Sequence, residues 1–460
     1  IIFRLSMLDL VEGGSTWEEI VALAKAVEES GASIINTGIG WHEARIPTIA
    51  TMVPRAAFVW VTKRLMGQVG IPLVTTNRIN APQVAEEVIA SGCADMVSMA
   101  RPFLADADFV RKAATGRADE INTCIACNQA CLDEIFEGRL TYCLVNPRAC
   151  RETELVIAPA QTPKRIAVVG AGPAGMACAL TAAERGHWVT LFDAAPEIGG
   201  QFNLARRIPG KEEFAETLRY FDRRLQRVGV SLRLGRECTA AELVEAAFEH
   251  VVLATGIVPR RPDLPGIEHE KVISYVDLIE GYRVAGERVA IIGAGGIGFD
   301  VAEFLTHVDD DRDELERFQS EWGIDPDFGN PGGLKAPSGE RGRRQVWLLQ
   351  RRAAKVGDGL AKTTGWIRRT VLKKRGVQML SGVTYERIDD AGLHLVVDGE
   401  RQCLPVDHVI ICAGQEPRRE LEEGLRAAAV AVSLIGGADV ANELDAKRAI
   451  DQGTRLAATL

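Results

Sequence analysis

Apolar and polar positions recur with two periods along the first quarter of the chain. Phe3–Ser6 reads as a strand, and Thr16 caps a helix whose apolar positions Ile20, Leu23, Ala24 and Val27 recur at helical spacing. A strand at 33–37, a loop holding Trp41, His42 and Glu43, and a helix around 57–66 follow, then a strand at 72–76, a helix from Pro82 and a strand at 95–99. Alternating β and α segments of this length build parallel sheets. Four such units, with polar residues where strands end, predict the C-terminal half of a (β/α)₈ barrel over residues 1–115. In that architecture function collects at the C-terminal strand ends. There stand Arg4, Asn77, Arg78, Ala100 and Arg101, and the three arginines are cations suited to a flavin's phosphate or anionic ring, or to ordinary surface ion pairs. His42 follows an Asn-Thr-Gly-Ile-Gly strand end and is the candidate catalytic residue of this segment.

After a linker ending near Pro163 the pattern changes. Arg165-Ile-Ala-Val-Val-Gly170-Ala-Gly172-Pro-Ala174-Gly175 is a buried strand, a glycine turn and a helix start. The first glycine permits a tight turn, the second lets backbone approach a pyrophosphate, and the third lets helix and strand pack closely. The next strand, 189–192, ends in Asp193, an acceptor for a ribose hydroxyl, and Gln201 closes a Glu-Ile-Gly-Gly-Gln run. A second copy follows with Gly293, Gly295, Gly296 and Gly298. Its own second strand, 346–349, ends in Gln350-Arg351-Arg352, with no acid. Arginines make bidentate contacts with a 2′-phosphate that an acid would repel, so this copy favours NADPH over NADH. A polar stretch, 307–344, separates this fingerprint from its second strand and reads as a solvated loop. Strand-like 409–411 and the Gly-Gly-Ala-Asp run ending in Asp439 suggest that the chain rejoins the first nucleotide domain after about 405. The expected plan is α/β: a half barrel over residues 1–115, a segment at 116–160, an FAD domain from 161–270 plus 406–460, and an NADPH domain at 271–405 inserted in it.

Cysteine changes the picture between barrel and nucleotide domains. Cys124, Cys127, Cys131 and Cys143 form a Cys-x2-Cys-x3-Cys-x11-Cys run. Four thiols so spaced suit a loop wrapped around a [4Fe-4S] cubane. A zinc knuckle would more usually show two CxxC pairs, and disulfides belong to small secreted domains. Cys150 stands close enough to replace Cys143 as the fourth ligand. Cys93, Cys178, Cys238, Cys403 and Cys412 are scattered in apolar settings and read as core residues.

Gross composition is that of an ordinary globular protein, 47% apolar and 25% charged over 460 residues. With 54 Lys+Arg against 63 Asp+Glu the net charge is −9, which disfavours a nucleic-acid surface. No apolar run reaches the ~20 residues of a membrane span. No secretory signal is visible, so a cytoplasmic protein with reduced thiols is expected. The chain opens Ile1-Ile2-Phe3 already inside a strand pattern, and is expected to be the C-terminal portion of a longer protein.

The order of Thr37-Gly-Ile-Gly-Trp-His42-Glu-Ala-Arg, Thr-Thr-Asn-Arg78-Ile, Ser-Met-Ala100-Arg101-Pro-Phe, the cysteine run and the two fingerprints resembles the bacterial NADPH-dependent 2,4-dienoyl-coenzyme A reductases. These belong with the wider flavin and iron-sulfur class that includes trimethylamine dehydrogenase and 2-enoate reductases. The resemblance covers essentially the whole chain. It implies FMN in the barrel, a [4Fe-4S] cluster beside it, and FAD and NADPH in the C-terminal half, with electrons passing from NADPH to FAD, cluster, FMN and an unsaturated fatty acyl-CoA. It implies that His42 helps a tyrosine protonate the dienoyl carbon, that Arg4, Arg78 and Arg101 match FMN-contacting positions, and that the first barrel strands and that tyrosine precede residue 1. An amine dehydrogenase is the runner-up in the class, and it has no need of an NADPH site. An electron-transfer module serving a protein acceptor is the alternative from another class.

Overall fold

The computed structural model describes residues 1–460 except 42, 309, 310, 340, 443 and 444. The chain folds as two compact units, one of residues 1–118, 123–127 and 308–341, the other of 119–122, 128–307 and 342–460.

In the first unit β1 (Ile2–Leu8), β2 (Ile34–Ile39), β3 (Leu73–Thr75) and β4 (Met96–Val97) form a parallel sheet in sequence order. Helices Trp17–Glu29, Val59–Leu65 and Pro82–Ala90 connect them, as the hydrophobic pattern predicts. Thr16 and Glu19 close a capping box on the first helix, which buries Ile20, Ala24 and Val27. Leu23 is 51% exposed, one position off the buried face. Beneath the sheet Thr62 donates to Thr75 Oγ1 (2.9 Å) and Thr37 to the Val74 carbonyl (2.8 Å), so hydroxyls buried there are satisfied.

The polar stretch expected to be a solvated loop is instead part of this unit. Asp313 caps a helix, Glu314–Trp322, that buries Phe318 and Trp322 and ends at Gly323 in the left-handed region. Phe318 meets Phe58 edge-on at 6.2 Å, and Phe328 lies against Trp17 (5.3 Å) and Trp60 (6.1 Å). Arg64 stacks over Trp17 and donates to the Pro326 and Asp327 carbonyls. Gly332 donates to Ser15 and accepts from Leu10 through the backbone, an approach so close that a Cβ there would sit 2.1 Å from the Val11 carbonyl. Phe318, Trp322 and Phe328, set among abundant charges, make this segment a cover for the loop after β1 and the starts of two helices.

The second unit holds two parallel sheets. β5 (Arg165–Val169), β6 (Trp188–Phe192), β7 (Ser231–Arg233), β8 (His250–Leu253) and β19 (Val432–Leu434) form one, in the order β19-β8-β5-β6-β7. The chain leaves it through β9 (Ile257–Pro259) and returns through β18 (Gln415–Pro417), which pair antiparallel. Between them β10 (Val272–Ser274), β11 (Arg288–Ile292), β12 (Gln345–Leu349), β13 (Gln378–Leu380) and β17 (His408–Ile411) build the second sheet, and β14 (Thr384–Asp389), β15 (Gly392–Val397) and β16 (Glu400–Leu404) a three-stranded antiparallel one. The second nucleotide domain is thus inserted in the first. The return expected near 406 falls later, because β17 pairs with β10 and β11 and so belongs to the second sheet. Central strands are buried on both faces: Val289 and Ile291 join one core, Ala290 and Ile292 the other.

Candidate functional site

Three places gather the residues singled out by sequence. At the C-terminal ends of β3 and β4, Arg78 is buried (5% exposed) and donates from Nε to the Val53 carbonyl at 2.7 Å. Arg101, first residue of helix Arg101–Ala105 behind Ala100, donates to the Ile49 carbonyl at 2.8 Å, and Asn77 to that of Thr48 at 3.2 Å. All three therefore hold the loop that follows β2, a clamping role that residue type alone does not suggest. Asn77 and Arg78 are consecutive non-glycine residues in the left-handed region, φ 71° and 57°. Such backbone costs ~1–3 kcal/mol per residue and persists where surrounding structure over-determines it. Arg4 stays exposed on β1 beside Asn36, whose buried Oδ1 has no hydrogen-bond partner. His42 lies outside the described residues.

The clamped loop reaches the cysteine segment. Thr51 donates to the Ile125 carbonyl (2.9 Å) and Asn80 to that of Cys124 (2.8 Å). Ala126 and Asn128, flanking Cys127, both have positive φ. Cys124 and Cys127 fall in the first unit, Cys131 and Cys143 in the second. Among the described residues there is no group of three or more His, Cys, Asp or Glu that could hold a metal ion. After Cys131 the helix Leu132–Phe136 is bolted to both nucleotide domains. Asp133 Oδ1 accepts from the Thr363 amide (2.9 Å) and hydroxyl (2.8 Å), and Glu134 pairs with Lys447 (2.8 Å) and Arg139. Hydrogen bonding to Arg139, then Lys447, outweighs burial and holds the Glu134 carboxyl down at about 2.

The first glycine loop, between β5 and helix Pro173–Glu184, shows each glycine's reason sterically. A Cβ on Gly170 (φ 108°) would lie 2.2 Å from the Ala254 carbonyl oxygen, and one on Gly175 only 1.8 Å from that of Gly170. Gly172, the N-cap, has nothing within 4 Å of such a Cβ, leaving an open cradle at the helix N-terminus. Asp193 accepts from the Ala171 amide (2.6 Å) and the Ala195 amide (2.8 Å), which fixes the loop and leaves one lone pair on each oxygen. Gln201 begins the helix that follows Gly200, and a Cβ on Gly200 would touch the Gly172 Cα at 3.0 Å. The Gly-Gly-Ala-Asp run returns to the same place: Gly436 and Gly453 both come against Ala174, and Gln452 joins the Gly436 amide (2.8 Å) to Asp439 (2.7 Å).

The second loop repeats the geometry. Gly293 has φ 111°, a Cβ on it would meet the Cys412 carbonyl oxygen at 2.4 Å, and one on Gly298 that of Gly293 at 1.9 Å. Gly295 and Gly296 have open space. Arg351 and Arg352 are exposed immediately after β12. Helix Gly296–Thr306 carries a charge cluster toward the first domain: Asp300 pairs with Lys211 (2.5 Å) and Arg368, and Arg368 with Glu303 (2.8 Å). Burial favours neutral Asp300, yet Lys211 and Arg368 prevail and its carboxyl is held below the ordinary value. Both cradles fit a dinucleotide, since glycine stands wherever a side chain would fill the space or strike the backbone.

Of the cysteines read as core, Cys178 is fully buried and its thiol is pushed up to about 12 by desolvation, whereas Cys403 is exposed. The latter corrects the sequence expectation.

A parallel barrel-type sheet followed by two glycine-cradle domains, one threaded through the other, defines a flavin- and nicotinamide-dependent oxidoreductase. Residues 164–447 match the pyridine nucleotide-disulphide oxidoreductase family, and the chain belongs to it. Residues 1–120 match the NADH:flavin oxidoreductase / NADH oxidase family. The chain is similar to a metal reductase of Desulforamulus reducens, 33% identical over 450 residues, covering 95% of this chain and 65% of that protein. It is 36% identical over 316 residues to an NADH oxidase of Thermoanaerobacter brockii, covering 66% of this chain and 48% of the other. A solved 2-naphthoyl-CoA reductase in complex with 2-naphthoyl-CoA matches with a TM-score of 0.87 and 28% identity, covering all of this chain and 65% of that one. The chain spans less than two thirds of the length of these proteins. Among the described residues no helix is long and apolar enough to cross a membrane.

Proposed function

We propose that this chain forms the NADPH-oxidising and flavin-holding portion of a reductase that saturates a conjugated double bond in an acyl-coenzyme A, specifically a 2,4-dienoyl-CoA. The observation that carries the reading is the second cradle, open at Gly295 and Gly296 and bordered by exposed Arg351 and Arg352 where the first has Asp193. The acyl-CoA in the solved 2-naphthoyl-CoA reductase complex supports a thioester substrate. When bound, the nicotinamide supplies a hydride, and flavins pass electrons singly or in pairs.

The chain's own residues bind and orient. In the first cradle the loop amides around Gly172 and Ala174 hold a pyrophosphate, Asp193 accepts from a ribose hydroxyl, and Gln201 and Asp439 face the remainder of FAD. In the second, Gly293, Gly295, Gly296 and Gly298 make the pyrophosphate turn, and Arg351 and Arg352 take the 2′-phosphate. Arg4, Arg78, Ala100 and Arg101 border the FMN site, and His42 assists proton delivery to the substrate carbon. Cys124, Cys127, Cys131 and Cys143, or Cys150 in place of the last, hold a [4Fe-4S] cluster. Protein purified without oxygen should then contain about four irons per chain; zinc in their place sinks the cluster assignment.

The deciding experiment follows NADPH oxidation on adding a 2,4-dienoyl-CoA to protein loaded with both flavins, with product identified by mass. Flavin-replete protein that leaves the diene intact refutes the substrate. Brisk ferricyanide reduction by NADPH with no FMN retained points to the second reading, an NADPH-flavin electron-transfer module.

A further inference from the structure

The two nucleotide domains meet along residues 201–211, and a buried tyrosine lies in the seam. Leu204 and Ile208, at and just past the end of helix Gln201–Ala205, share a core with Leu278 and Phe299 of the second domain. Arg207 donates to the Ile279 and Glu280 carbonyls (3.4 and 3.3 Å) at the end of helix Tyr275–Glu280 and pairs with the Glu280 carboxylate (2.9 Å). At the start of that helix Tyr275 is 3% exposed and packs in the same core. Its hydroxyl oxygen is shut off from water and has no hydrogen-bond partner among the described residues. The polar side chains that act on it are the neutral amides of Gln415, on the returning strand β18, and Gln201, and neither is in bonding geometry. Buried tyrosine hydroxyls ordinarily find a partner, and one left bare is costly. Desolvation raises the Tyr275 phenol above its ordinary value, so through the neutral range it keeps its proton and can donate.

We infer that Tyr275 is a binding residue for the flavin ring, its hydroxyl donating to a carbonyl or ring-nitrogen acceptor there; the inference rests on the reading of the first cradle as an FAD site. A Cβ on Gly200 would touch the Gly172 Cα at 3.0 Å, so the helix that opens with Gln201 starts at the pyrophosphate turn. Asp193 takes the adenosine end of the cofactor. The flavin end leads the other way, past Gln201, to the seam where Tyr275 stands. Cys412, whose carbonyl oxygen lies against Gly293 of the second cradle, packs on the same core, and a nicotinamide carboxamide offers similar acceptor chemistry. A donor withdrawn this far from water suits the cofactor that stays rather than the one that must enter from solvent, which favours the flavin.

The test strips the full chain and its Tyr275→Phe variant of flavin and titrates each with FAD, then with NADP⁺. The variant should bind FAD about tenfold more weakly, because a buried donor to the ring is lost. Its bound flavin should absorb at a shifted wavelength, and its NADP⁺ binding should be unchanged. Without flavin the variant should unfold at an equal or higher urea midpoint, since only an unsatisfied hydroxyl has been removed. A hydroxyl with a merely structural role would lower that midpoint with or without FAD. Unchanged FAD affinity, a lowered flavin-free midpoint, or a loss confined to NADP⁺ overturns the inference while leaving the FAD site in place. A chain that takes up no FAD in either form overturns the first-cradle reading and the inference together.

Discussion

The two glycine cradles solve one steric problem and then part ways. Their turns superimpose in logic: Gly175 and Gly298 stand where a Cβ would lie 1.8 Å and 1.9 Å from a carbonyl oxygen of the turn. Around the first, however, the helix is buried from Ala174 to Ala182, with Gly436 and Gly453 pressed against Ala174. The helix of the second carries Asp300 and Glu303 into a network with Lys211 and Arg368, and exposed Arg351 and Arg352 follow its second strand. A sealed, apolar surround suits a cofactor that stays. A charged, open one suits a cofactor that must arrive and leave, because electrostatic steering speeds capture and exposed contacts release.

The comparison is broken most severely at the shared turns. Gly175→Val and Gly298→Val should each cost about 3 kcal/mol or more, since the obstructing atom is backbone and cannot swing aside. Urea midpoints of the two variants check this, and one that is tolerated would separate the loops. Gly453→Val should harm only the first cradle, through the Ala174 carbonyl 2.2 Å from its Cβ, and appear as flavin lost on desalting. Next in size, Arg351→Glu with Arg352→Glu should weaken NADPH about 100-fold relative to NADH. Titration of each nucleotide reads the ratio, and an unchanged preference removes the 2′-phosphate assignment. Lys211→Met should cost ~1–2 kcal/mol, because Arg368 still partners Asp300. The smallest effect is a pH dependence. With its folded-state carboxyl depressed, Asp300 contributes in full above its unfolded value of about 4, and the contribution fades as pH falls through the lower folded one. Hydrogen exchange at acid pH should therefore rise first in helix Gly296–Thr306. Equal loosening of Pro173–Glu184 would erase the contrast.

How much of this was legible in the sequence depends on what enforces each feature. Glycine spacing is dictated by collisions with backbone, so both turns could be read from residue identities alone. The βα order of the first unit was equally plain, because Ile20, Ala24 and Val27 leave a helical trace. Partnership across long separations was not. Phe318, Trp322 and Phe328 are thinly spread among charges, and nothing local says that they meet Phe58, Trp17 and Trp60. Arg78 and Arg101 look like phosphate ligands by type, and only the fold shows their guanidinium groups turned onto loop carbonyls. Cys403 has Leu404 beside it, but strand alternation turns the thiol outward.

That late-arriving aromatic cover has a consequence for biosynthesis. The first unit cannot be completed until residue 341 has been made, although its strands β1 to β4 lie within residues 1–118. At ~5–20 residues per second the ribosome leaves Phe58 and Trp60 waiting on the order of ten seconds or longer. Over that interval the nascent chain presents greasy rings to the cell, so its yield should hinge on chaperone supply more than its finished stability suggests.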